Sequence, residues 1–262
     1  AMKREIAIPH SIASGCDVIL FNKDILEDFT YMREGIKNGL VSEERINEAV
    51  IRVLATKAAL RLHDSTNKYD DNPSIIGCEE HLKLASLCAD EAITLVKNTQ
   101  NIIPLEQGKY KKVLLISLSH EERKISNQYH SIKLFKNLIE NKGLEVTLLD
   151  QGKYVNGDIE QSINDFVTSY DLVIYSANVK VQSNKTSLRI NWSLPSGCDM
   201  PWFVKEIPTV FISFSNPYHL MDVPQVTTYI NTYGSNESSV EAVVSKLFGE
   251  SQFKGVDPVN PF

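Results

Sequence analysis

KVLLISLS at Lys112–Ser119, EVTLLD at Glu145–Asp150 and DLVIYSA at Asp171–Ala177 decide the fold. Each is a short run rich in Val, Leu and Ile rather than an alternation of apolar and polar residues. Such runs fit strands buried on both faces, as in a parallel sheet. Between and beyond them the period changes. Phe135, Leu138 and Ile139 mark a helix after the first strand, and Ile159, Ile163 and Phe166 mark one after the second. PTVFISFS (Pro208–Ser215) and VTTYINTY (Val226–Tyr233) add two more strands, and Glu237–Phe248 reads as a closing helix. Upstream, Leu82, Ala85, Ala89 and Ala92 lie at helical spacing and lead into a short strand, Thr94–Lys97. Strands alternating with helices predict α/β layers, with a parallel sheet covered on both faces.

The first part of the chain reads differently. CDVILF (Cys16–Phe21) fits a single buried strand. A helix follows with Ile25, Phe29, Met32 and Ile36 at helical spacing, stopped at Gly39. Ser42 is placed to cap a further helix with Glu43 and Glu44 in its first turn, where the helix dipole favours acids. Ile46, Ala49, Val50, Val53 and Leu54 would form its buried stripe. HDSTNKYDDNPS (His63–Ser74) is polar and aperiodic, and reads as a linker. The predicted division is residues 1–72 and residues 73–262. One strand and two helices cannot close an eight-stranded barrel. The first 65 residues must therefore pack on the sandwich, on another chain or on nothing, and their unpaired strand edges leave self-association open.

Composition excludes more than it assigns. The chain has 262 residues, 42% apolar and 23% charged, with a net charge of −6. That acidic balance gives no footprint for nucleic acid or an anionic membrane. No apolar run nears the ~20 residues that span a bilayer. AMKREIAIPH has no apolar stretch of the kind a secretory signal needs. The compartment stays open. Cys16, Cys78, Cys88 and Cys198 form no C-x-x-C pair and read as buried free thiols rather than metal or redox groups. No G-x-G-x-x-G or P-loop is present, so no nucleotide site is indicated; no cofactor and no metal is expected. Three triplets, beginning at Asn184, Asn191 and Asn236, match the glycosylation pattern, which is common by chance.

Four blocks carry a family resemblance. They are Ala13–Asn22 with Gly39–Leu60, then ITLVKNTQNIIPL (Ile93–Leu105), PTVFISFSNPYHL (Pro208–Leu220), and Val223–Val259, which contains SKLFGESQFKG. Together and in this order they resemble the C-terminal portion of bacterial glycoside hydrolase family 3 enzymes. The last block departs from the family's frequent Gly-Lys-Leu-Pro-Val ending, reading Gly255-Val256-Asp257-Pro258-Val259. The resemblance implies the last strand–helix unit of a (β/α)8 barrel, followed by a flavodoxin-like doubly wound sandwich. It implies cleavage of O-glycosidic bonds with retention, by a carboxylate nucleophile and a separate acid/base. In the family the nucleophilic Asp and a Lys-His-x-x-Gly-His loop lie upstream of these blocks. One branch takes its acid/base from a Glu on a sandwich loop, and the other, N-acetylglucosaminidase-like, from a His–Asp pair on the barrel. The corresponding sandwich loop here, Val179–Trp192 (VKVQSNKTSLRINW), has no Asp or Glu. The resemblance therefore points to the β-N-acetylhexosaminidase-like branch, with carbohydrate as substrate and a barrel domain on the same or a separate chain as partner. The other readings are a non-catalytic carbohydrate-binding or scaffolding module, and one half of a split glycosidase.

No catalytic residue is assigned on this chain. Substrate-rim candidates are Asn22, Lys23 and Asp24, just after the barrel-like strand, and Gln182 and Arg189 on the sandwich loop. Against these roles stand the helix cap that Asp24 would supply and an ordinary solvated loop for the other two. His219 in NPYHL shows no partner nucleophile or carboxylate pattern and reads as packing or capping. Trp192 and Trp202 could stack on sugar, but an interface anchor is the simpler role.

Overall fold

A computed structural model describes residues 2–66, 72–119, 127–150, 168–180, 188–192 and 199–260. The second predicted inter-strand helix, Gln182 and Cys198 lie outside these residues. The chain divides into two compact units, Ala1–Pro73 and Ser74–Phe262.

The first unit is built from helices α1 (Arg4–Ala13), α2 (Ile25–Lys37) and α3 (Glu43–Ala59). Two of its caps were legible. The Asp24 side chain accepts from the Leu26 and Glu27 amides at 2.9 and 3.0 Å, and Ser42 Oγ accepts from the Arg45 amide at 3.1 Å. Helix α1 was not anticipated. It crosses α2 closely enough that a Cβ on Gly35 would lie 2.4 Å from Pro9 Cβ, so only glycine fits there. Arg45 ties the chain after α1 to α3. Its guanidinium donates to the carbonyls of Ile12 and Cys16, both at 3.0 Å, and to Asp17 at 2.6 Å. That hydrogen bond, with help from Arg52, holds the Asp17 carboxyl below its usual range.

Two expectations for this unit fail. Residues 16–21 are irregular, not a strand, and Phe21 is 98% exposed. A strand owes its hydrogen bonds to its neighbours, and among the described residues none runs beside this segment. The stripe on α3 is also not buried as a whole. Ala49 is, but Val50 and Leu54 are exposed. The amphipathic pattern is present without a surface to cover it.

The second unit is a six-stranded sheet with helices. In chain order come α4 (Glu79–Ala92), β1 (Thr94–Asn98), β2 (Lys112–Leu118), α5 (Asn127–Glu140), β3 (Glu145–Asp150), β4 (Leu172–Ala177), β5 (Thr209–Ser213), β6 (Thr228–Asn231) and α6 (Glu237–Leu247). The spatial order is β1-β6-β5-β4-β2-β3. Strands β3, β2, β4, β5 and β6 are parallel, an order matching the doubly wound flavodoxin-like pattern. Strand β1 runs antiparallel to β6, with an irregularity between Leu95 and Lys97. Sequence alone did not distinguish this edge strand, because a five-residue run carries no directional signal.

Alternate residues of each strand feed two cores. Val113, Leu115, Ile174, Ile212 and Ile230 meet Phe135, Ile139 and Val243 of α5 and α6 on one face. The other face carries an aromatic ladder across three strands. Tyr229, Phe211 and Tyr175 stack at centroid spacings of 5.4 and 5.6 Å, and Phe203 extends the row at 6.4 Å. The C-terminal segment straps the α4–β1 junction. A Cβ on Gly255 would sit 2.5 Å from the Ala92 carbonyl oxygen. Beside it, buried Lys246 of α6 reaches Asp90 of α4 at 2.9 Å, the Gln252 carbonyl at 2.7 Å and Ser251 Oγ at 3.2 Å.

Candidate functional site at the carboxyl edge of the sheet

Open α/β sheets place ligands beyond the carboxyl ends of their parallel strands. Here the segments leaving β4, β5 and β6 gather at that edge. A cleft of about 830 Å³ lies there, bordered by His130 and Ser131 of α5, Lys180, Ser215, Tyr233 and Glu237. Its walls are tied together locally. Ser215 Oγ donates to Asn178 Oδ1 at 2.7 Å, and Ser131 Oγ donates to the Ser235 carbonyl. Asn236 caps α6 by accepting from the Ser239 amide at 2.9 Å. Tyr233, with φ of 56°, donates its hydroxyl to Asp257 Oδ1 at 2.9 Å, while Asn231 Nδ2 donates to Asp257 Oδ2 at 3.0 Å. Burial, reinforced by the Asp257 carboxylate, pushes the Tyr233 phenol up, so it remains a donor at neutral pH. Asp257 is one of the two residues, with Val256, by which the chain departs from the Gly-Lys-Leu-Pro-Val ending.

The turn after β5 holds a second polar group. It runs through a short 3-10 helix, Pro217–Met221, opened by Asn216, whose side chain accepts from the Tyr218 amide at 3.0 Å. His219 is fully buried, and its Nδ1 lies 3.1 Å from Asp222 Oδ2. Nε2 has no hydrogen-bond partner among the described residues. His219 therefore does have a carboxylate partner, contrary to the expectation from sequence. The missed signal was the three-residue spacing from His219 to Asp222, which one helical turn brings together. Arg189 pairs with the same carboxylate.

The predicted rim residues separate by unit. Asn22, Lys23 and Asp24 are all exposed in the first unit. Asp24 caps α2, and Asn22 donates to Asp28 at 3.1 Å. Asp28, buried and paired also with Arg4, is a polar anchor that sequence reading missed. Arg189 stands on the sandwich, its side chain 61% exposed. The two tryptophans differ: Trp192 packs against the core face that carries the ladder, whereas Trp202 is exposed. The cysteine expectation is corrected too, since Cys16 and Cys88 are exposed free thiols. Short side chains at polar helix and turn surfaces give no sequence signal of their exposure. Among the described residues, no group of His, Cys, Asp or Glu is arranged to hold a metal ion, and no helix is long and apolar enough to cross a membrane.

No family profile matches the chain. Individual relatives do. A β-N-acetylglucosaminidase/β-glucosidase of Cellulomonas fimi is 39% identical over the whole of this chain and 47% of its own length. A lysosomal β-glucosidase of Dictyostelium discoideum is 34% identical over 42% of this chain. Among solved structures, the β-glucoside phosphorylase BglX superposes with a TM-score of 0.78 at 41% identity, covering all of this chain and 46% of that one. A family 3 β-N-acetylglucosaminidase from Paenibacillus, at 16% identity and a TM-score of 0.61, shares the fold. The chain thus spans about half the length of the first two proteins matched along its whole length. Its homologues are glycoside hydrolase family 3 β-glucosidase and β-N-acetylglucosaminidase enzymes, and the chain matches the C-terminal portion of such an enzyme.

Proposed function

We propose that this chain is the sandwich-bearing half of an enzyme that cleaves β-glycosidic bonds of the β-N-acetylglucosaminide or β-glucoside class. The observation that carries this is the 39% identity to the Cellulomonas enzyme along the entire chain, both units included. In this reading residues 1–72 are the end of a (β/α)8 barrel and residues 73–262 the sandwich. The apolar residues exposed on the first unit, Phe21, Ile25, Phe29 and Leu54 among them, support it, because a barrel edge needs its neighbours to bury them. The nucleophile and the acid/base belong to the barrel. Arg189 and Gln182 are proposed as positional residues of the second unit, and Asn22, Lys23 and Asp24 as substrate-rim residues of the first.

A second reading concerns the acceptor that resolves the glycosyl-enzyme. The identity of 41% to a β-glucoside phosphorylase favours phosphate in place of water. Both readings share the first, glycosidic step and differ in the last bond formed. The test is product analysis for the complete protein carrying this chain, using nitrophenyl β-N-acetylglucosaminide and β-glucoside with and without phosphate. Hydrolysis yields free sugar at a rate that phosphate does not raise. Phosphorolysis yields the sugar 1-phosphate in proportion to added phosphate. Absence of nitrophenol release from either glycoside under both conditions overturns the proposal.

A further inference from the structure

The segment after β4 and the turn after β5 meet on one carboxylate. Asp222 Oδ1 pairs with Arg189 Nε, and Oδ2 accepts the Ile190 amide at 3.3 Å and faces His219 Nδ1 at 3.1 Å. From the same turn, Asn216 Nδ2 donates to the Leu188 carbonyl at 3.4 Å. Residues 188–190 are thus attached by two backbone groups and one side chain to a single turn. The asymmetry of burial matters. The Asp222 side chain is 6% exposed and that of His219 is fully buried, whereas Arg189 is largely in solvent. A buried carboxylate is costly unless donors surround it, and here three donors converge on it. The turn cannot release residues 188–190 without leaving that charge unpaired. His219 locks the arrangement from beneath: its Nδ1–H fixes the Asp222 rotamer, as a second group orients the first in many polar sites.

We propose that Asp222 is a positioning residue, held by His219, that fixes residues 188–190 and aims the Arg189 guanidinium at the carboxyl edge of the sheet. For its effect on catalysis this rests on the glycoside-cleaving function proposed above; for its effect on the segment it does not. Asp222→Asn keeps the shape of the side chain and removes the charge, so it tests the clamp without emptying the site.

The first arm uses this chain itself. Hydrogen exchange of the Ile190 amide should accelerate at least tenfold in Asp222→Asn, while amides of β4 and β5 keep their protection. The second arm uses the complete enzyme and nitrophenyl β-glycosides. Asp222→Asn and Arg189→Ala should each raise KM about tenfold, the scale of one lost hydrogen bond to a charged group, with kcat changed less than about twofold. The double variant should be no worse than the poorer single one, because both remove the same interaction. Unchanged Ile190 exchange in Asp222→Asn overturns the clamp, and so do KM effects that multiply in the double variant. If the complete enzyme cleaves no β-glycoside, the proposed function fails while the exchange arm still decides the clamp.

Discussion

Asp90→Ala is expected to destabilise the sandwich by about 3 kcal/mol, since it strands the buried Lys246 ammonium although Asp90 itself is only partly buried. Lys246 is the charge stranded. Its side chain is fully buried, and Asp90 is the only carboxylate with which the described residues pair it. The Gln252 carbonyl and Ser251 hydroxyl remain as acceptors, but neither carries a balancing charge. Lys246→Met is the informative companion. It removes the buried charge, and with it the ammonium's place over the Phe253 ring, but keeps an unbranched apolar side chain in the space, so it should cost much less than Asp90→Ala. Urea unfolding of the two variants against the parent chain measures this; equal losses would show that the ammonium is not the source of the cost.

The same pair sets a pH dependence. Burial works to raise the Asp90 carboxyl, yet Ser251 and Lys246 outweigh it and hold the group below its ordinary value. A carboxyl lowered in the folded state adds stability above its unfolded pKa of about 3.9 and loses it as pH falls through the folded value. The stability gap between the parent chain and Asp90→Asn should therefore be constant near neutrality and shrink below about pH 4. A gap that grew on acidification would contradict the assignment.

Phe211→Ala is the second large effect, expected at about 3–5 kcal/mol. Phe211 sits fully buried on β5, between the rings of Tyr175 and Tyr229 on the flanking strands. Its removal leaves a cavity that the two rings cannot close, because each is fixed in its own strand. Phe211→Leu should recover much of the loss by refilling volume without the stacking. Chemical denaturation at constant slope checks both. A cost for Phe211→Ala below about 1 kcal/mol would mean that the ladder collapses readily into the space.

Much of this architecture was legible in the sequence for a simple reason. Strands such as KVLLISLS are buried on both faces, and their unbroken apolar character survives without knowledge of their neighbours. The caps at Asp24 and Ser42 were legible because their partners lie two or three residues away. What failed depended on distant partners. CDVILF carries strand propensity, yet it forms no strand, and among the described residues none runs beside it. The direction of β1 is set by β6, more than 120 residues later. The site divides along the same line. Arg189 was identifiable as a polar loop residue, but its partner Asp222 stands on the turn after β5, and no local spacing joins the two. Asp257 entered only as a departure from a family ending, and its contacts with Asn231 and Tyr233 are tertiary.

On the function proposed above, this half supports a glycosyl transfer whose nucleophile stands on the barrel outside residues 1–262. A retaining enzyme of this kind forms a covalent glycosyl intermediate on a carboxylate. A 2-deoxy-2-fluoro-β-glycoside with a good leaving group should trap that intermediate in the complete protein, and peptide mass spectrometry should locate it. The expected result is one label, on an Asp of the barrel outside residues 1–262, and none on residues 1–262. A stoichiometric label on any carboxylate within residues 1–262, or inactivation without a covalent glycosyl adduct, would contradict it.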